Sequence, residues 1–179
     1  MQWRDMTAAE IATHPEARLR GALLWMVVAA AIAFAVPSIG MVLAFIVIST
    51  GGVHANPANI FSWLDGPYGA GTTYMIPVVF FMIWSLVFVV MTLGRFKATP
   101  VAASAGIVLW VVLRAAFAYL GQAPLVAAAE HTSLADALVR SWPFAIAVLG
   151  EAALAAGFCG YMAGGSRPNA YYRRRLPAL

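Results

Sequence analysis

With 63% of its 179 residues hydrophobic, 10% charged and a mean hydropathy of +0.83, the chain lies outside the range of soluble domains. The net charge of +4 is no nucleic-acid footprint, because the basic residues stand at the edges of apolar runs rather than in one patch. A single cysteine, Cys159, excludes an internal disulfide and any multi-cysteine metal site, and its apolar surroundings suit a small hydrophobe.

A helix needs about 20 mostly apolar residues to cross the hydrocarbon core of a bilayer. Residues 1–20 read as a charged tail, followed by four segments of sufficient length at about 21–49, 74–93, 101–120 and 143–162. Residues 21–164 thus form one transmembrane domain and residues 165–179 a basic tail. Pro37 lies inside the first segment, where it removes a backbone donor and predicts a kink. Pro77 falls in the first turn of the second segment, and Pro100 and Pro143 fall where the third and fourth begin, which is where proline fits best. The first apolar run is too long for a signal-peptide core and has no clear cleavage motif near its end, so it is expected to be retained.

Orientation follows from the basic residues. Nine of the eleven flank the first helix on its N-terminal side, occupy the short connection at 94–99, or follow the fourth helix. The connection at 51–73 has none, and that at 122–140 has only Arg140. The positive-inside rule then predicts an all-α antiparallel bundle with both termini cytoplasmic and two longer external connections. Ten of the eleven basic residues are arginine, and alanine is abundant, a bias expected of a GC-rich bacterial genome. A multi-pass protein of a bacterial inner membrane is the expectation.

The connections differ in character. Residues 51–73 are punctuated by Gly, Pro and Asn, with Trp63 expected at headgroup depth. Residues 94–99 are so few that the second and third helices must be antiparallel neighbours. Within 122–140, apolar Leu134, Leu138 and Val139 alternate with Asp136 and Arg140, and Thr132 or Ser133 is placed to cap a short amphipathic surface helix. After the fourth helix come Tyr171, Tyr172, Arg173, Arg174 and Arg175. They read either as anchors to anionic lipid at the inner leaflet or simply as a determinant of topology.

Two charges interrupt the apolar runs, Arg114 in the third segment and Glu151 in the fourth. Counted from the outer boundary at 1.5 Å per residue, they lie roughly 9–10 Å and roughly 12 Å deep. A lone charge at such depth costs at least ~2.5–3.5 kcal/mol, so pairing across consecutive antiparallel helices is expected. The pair reads as a register pin, with a proton-relay or ligand-binding carboxylate as the functional alternative and a contact to another subunit as a third.

The remaining features are packing surfaces. Ala152, Ala156, Gly160 and Gly164 form a small-residue ladder along the fourth helix, expected to admit a neighbouring backbone. Ala102, Ala103 and Gly106 offer a similar patch on the third. The second helix is bulky, with Phe80, Phe81, Met82, Trp84, Phe88 and Met91 around most of its circumference, which suits lipid contact or a broad partner surface.

Chemistry is sparsely represented. His54, Asp65, Glu130, His131 and Asp136 share no recognised ligand spacing, so no metal site is expected. No histidine lies inside a span, which argues against haem, and Cys159 and Ser104 have no histidine in their helices to activate them. No catalytic residue and no cofactor are assigned. Polar residues within spans are few, and Pro37-Ser38-Ile39-Gly40 is the one candidate helix break of the kind transporters use. The reading is an accessory or scaffolding subunit of a larger membrane assembly, contacting membrane lipids and other integral subunits or further copies of itself. The alternatives are a small transporter or channel component using Arg114 and Glu151, and a membrane enzyme with a site in an external loop.

Overall fold

The computed structural model describes residues 3–49, 71–117, 133, 136 and 142–177. A short strand β1 (Trp3–Asp5), helix α1 (Ala8–Thr13) and a 3-10 turn (Pro15–Ala17) precede the long helix α2 (Gly21–Ser49). Helices α3 (Gly71–Leu93), α4 (Thr99–Ala116) and α5 (Trp142–Gly164) follow. The chain closes with a helical turn α6 (Ser166–Pro168), a π-turn (Asn169–Arg173) and strand β2 (Arg175–Pro177). Four helices are long and apolar enough to cross a membrane, the organisation of a multi-pass membrane protein. Their outward faces agree: Trp25 on α2, Val101 on α4 and Leu154 on α5 are 72%, 65% and 78% exposed, and soluble monomers rarely show apolar surface on that scale.

The helix limits follow local chemistry. At 29 residues α2 is about 44 Å long, more than a ~30 Å hydrocarbon core, so it tilts or projects. It runs unbroken through Pro37, and Ser38 donates its hydroxyl to the Phe34 carbonyl at 2.7 Å. The candidate break at 37–40 thus lies within one continuous helix. Helix α3 starts before the expected position, which puts Pro77 in its interior rather than its first turn. Pro100 does stand in the first turn of α4. Between α3 and α4 the amide of Phe96 bonds the Met91 carbonyl at 3.1 Å, and Arg95 adopts the left-handed conformation, φ 53°. A non-glycine residue there costs roughly 1–2 kcal/mol. Its guanidinium lies 5.0 Å from the centroid of the Tyr171 ring, a compensating cation–π contact.

Packing runs in chain order, α2 on α3, α3 on α4 and α4 on α5. The aromatic face of α3 lies inside this arrangement rather than towards lipid. Phe88 is 2% exposed and Met82 9%. Trp84 stacks on Phe81 and Phe88 at 5.3 and 5.8 Å, and Trp110 of α4 and Phe158 of α5 close around them. Residues three, four and seven apart share one helical face, which explains why Phe81, Trp84 and Phe88 form a row. The outward positions of α3 are aliphatic instead: Ile83, Val87 and Val90.

The terminal segments, expected to be tails, are folded against each other. β1 pairs antiparallel with β2, setting Arg4 opposite Leu176. Met6, Ala17, Ala170 and Leu176 form a small apolar cluster between them. Polar contacts add to it: Arg175 Nε meets Asp5 Oδ1 at 3.0 Å, and Ser166 Oγ donates to Glu16 Oε1 at 2.9 Å. Both ends of the chain thus meet at one end of the bundle, beside the α3–α4 turn.

Candidate functional site

Helices α4 and α5 place Arg114 and Glu151 opposite each other. Arg114 Nε donates to Glu151 Oε1 at 3.2 Å, with side chains 24% and 23% exposed. A second contact shows the register: ten residues back along α4 and eight forward along α5, Cys159 Sγ lies 3.8 Å from the Ser104 carbonyl. The two helices rise by similar amounts between these contacts, as an antiparallel pair must. Glu151 Oε2 is buried and has no hydrogen-bond partner among the described residues. Among the described residues the carboxylate is therefore hydrogen-bonded through one oxygen only.

A tight seam holds α3 against α4. The Trp84 indole donates to the Ala103 carbonyl at 3.0 Å. Gly106 sits one turn further along α4, and a Cβ there would collide with the Trp84 ring. Of the small residues expected to serve packing, the Ala103 and Gly106 patch is thus used inside the chain. Among the described residues, the ladder on α5 is not. Ala156, Gly160 and Gly164 are exposed and Ala152 is half-buried, and a Cβ at Gly160 or Gly164 would meet nothing within 4 Å. The buried face of α5 consists of Ala155 and Met162, with Phe158 and Tyr161 packed beside them. Periodicity located the ladder but did not say which side the larger aromatic residues would claim.

The anchoring residues divide. Trp63 lies outside the described residues. Tyr171 and Tyr172 are 4% and 1% exposed, so they are core residues and not interface anchors. Tyr172 shares a 2.8 Å hydrogen bond with Thr92 Oγ1, and Tyr171 donates to the Thr92 carbonyl at 3.1 Å. Burial pushes the Tyr172 hydroxyl up to about 12. The sequence signal for this contact was Thr92 itself, a polar residue near a helix end that needs a partner once buried. Arg173 is partly buried, while Arg174 and Arg175 are exposed.

Among the described residues no group of three His, Cys, Asp or Glu could hold a metal ion. His54, Asp65, Glu130 and His131 lie outside the described residues, as does most of the expected amphipathic helix. Within that stretch, Ser133 Oγ accepts from the Asp136 amide at 3.1 Å. No family model, curated protein or solved structure matches the chain.

Proposed function

We propose that this protein is an accessory or scaffolding subunit of a larger bacterial inner-membrane assembly, with both termini cytoplasmic. It contributes packing surface and lipid anchoring rather than chemistry. The observation that carries this reading is the open ladder on α5, where Gly157, Gly160 and Gly164 each leave space that no other part of the described chain fills. In lipid, close backbone approach between helices supplies the association energy that hydrophobicity cannot, so such a face suits a neighbouring helix of another subunit. Nine basic residues at the ends expected to be cytoplasmic support the orientation. Purification from native membrane in mild detergent tests the proposal: stoichiometric integral membrane partners are expected, and Gly160→Leu should release them. A lone monomer or homo-oligomer would favour another role.

One observation favours a second reading, a component of a small transporter or channel. Glu151 Oε2 is buried without a partner among the described residues, and a carboxylate in that state can exchange a proton or meet a substrate cation. Proton or ion flux in proteoliposomes, abolished by Glu151→Gln, would move the assignment to this class.

A further inference from the structure

The end of the bundle where the termini meet carries a basic pocket. Lys97 from the α3–α4 turn and Arg173, Arg174 and Arg175 from the C-terminal segment line it, together with Asp5. Asp5 is engaged by Arg175 Nε at 3.0 Å, and Arg173 Nη1 donates to the neutral Asn169 Oδ1 at 3.0 Å. Lys97 and Arg174 hold no ion pair among the described residues. The pocket therefore concentrates positive charge with one carboxylate to balance it, and it suits an anion.

Arg173 also borders a second feature. An apolar groove of about 630 Å³ runs down α4 past Val101, Ala105, Val108 and Val112, flanked by Ala163 of α5. This volume falls within the ~300–1,000 Å³ range of small-molecule sites. From Val101 to Val112 the helix rises roughly 16–17 Å, close to one leaflet of a ~30 Å hydrocarbon core. An apolar face in lipid is ordinary. This one differs because Arg173 lines both the groove and the basic pocket.

We infer that the groove and pocket together bind one anionic phospholipid. Its phosphate lies against Lys97, Arg173 and Arg174, and one acyl chain follows α4. Charge selects the class, because a zwitterionic headgroup would bring its own cation into a pocket already rich in them. The inference deepens the lipid-anchoring half of the proposed role and rests on it, but not on any partner subunit.

The test uses the full chain in detergent micelles containing equimolar phosphatidylglycerol and phosphatidylcholine, with retained lipid counted by native mass spectrometry. Wild type should retain phosphatidylglycerol over phosphatidylcholine by about tenfold or more, since several basic contacts act together. Lys97→Gln combined with Arg174→Asn should bring the ratio near one; both side chains are exposed, and asparagine tolerates the left-handed backbone at φ 55°. Ala105→Phe, on the exposed face of α4, should fill the groove and cut retention with the pocket intact. Equal retention of the two lipids by wild type overturns the inference without reference to any variant. So does phosphatidylglycerol binding that ignores Ala105→Phe but is displaced by millimolar inorganic phosphate, which would assign the pocket to free phosphate. Partner subunits that co-purify with a chain showing no lipid preference would leave the scaffolding role standing and sink this inference alone.

Discussion

The hydroxyl of Tyr172 lies 2.8 Å from Oγ1 of Thr92, 80 residues earlier in the chain. Both residues are buried, and the bond ties the C-terminal segment into the end of α3. Tyr172→Phe should leave the Thr92 hydroxyl without this partner and destabilise the protein by about 1–3 kcal/mol. Thermal unfolding in detergent measures it. Combining Tyr172→Phe with Thr92→Val should cost less than the sum of the single changes, and strict additivity would show that the hydroxyls are not coupled.

The same contact predicts an alkaline limit. Folding raises the Tyr172 hydroxyl from 10.0 to about 12, because burial disfavours the phenolate. The folded state therefore holds this proton more tightly, so its contribution is complete below pH 10 and is lost as pH rises towards 12. Unfolding midpoints recorded across that window should fall more steeply for wild type than for Tyr172→Phe.

Glu10 sets an acid limit on the N-terminal segment. Arg4 binds both its oxygens, at 2.6 and 3.1 Å, and the amide and hydroxyl of Thr7 donate to it as well. These contacts hold the carboxyl down at about 2, against a usual 4.5. Its contribution is present above pH 4.5 and fades as pH falls towards 2. Amide protection over residues 3–17, taken relative to the intrinsic exchange rate at each pH, should fall across that range in wild type and be low throughout in Glu10→Gln. Since Glu10 is solvent-accessible, the effect should stay local.

Gly106 and Gly160 should respond oppositely to added bulk. Gly106→Ala drives a methyl group into the Trp84 indole, and overpacking of this kind costs typically 1–3 kcal/mol. Gly160 faces open space, so Gly160→Leu should leave the melting temperature of the isolated chain nearly unchanged. That variant becomes informative only in native membrane, where loss of a co-purifying partner would place the partner on this face.

Arg114→Met and Glu151→Leu should each lower the yield of folded protein. Removing one member of a fully buried pair costs about 3–5 kcal/mol, and side chains about one-quarter exposed should lose somewhat less. The double replacement should recover much of the loss. Recovered folding with a dead membrane process would assign the pair to function, whereas normal folding of both single variants would remove its structural role.

Hydropathy alone gives the number and order of the apolar helices, though not their exact limits, because crossing a bilayer demands internally satisfied backbone over about 20 residues and leaves a plain trace in composition. Depth counting along two consecutive segments also brought Arg114 level with Glu151, since helical rise is uniform. What composition does not encode is which face of an apolar helix meets protein and which meets lipid, because both surroundings accept the same residues. The tertiary structure decided that. It turned Phe81, Trp84 and Phe88 inward and the glycine ladder of α5 outward. It also drew Tyr171 and Tyr172 out of an apparent basic tail into the core, where Thr92 satisfies their hydroxyls. That last placement depends on a pairing of the two chain ends, Trp3–Asp5 with Arg175–Pro177, which no local periodicity announces.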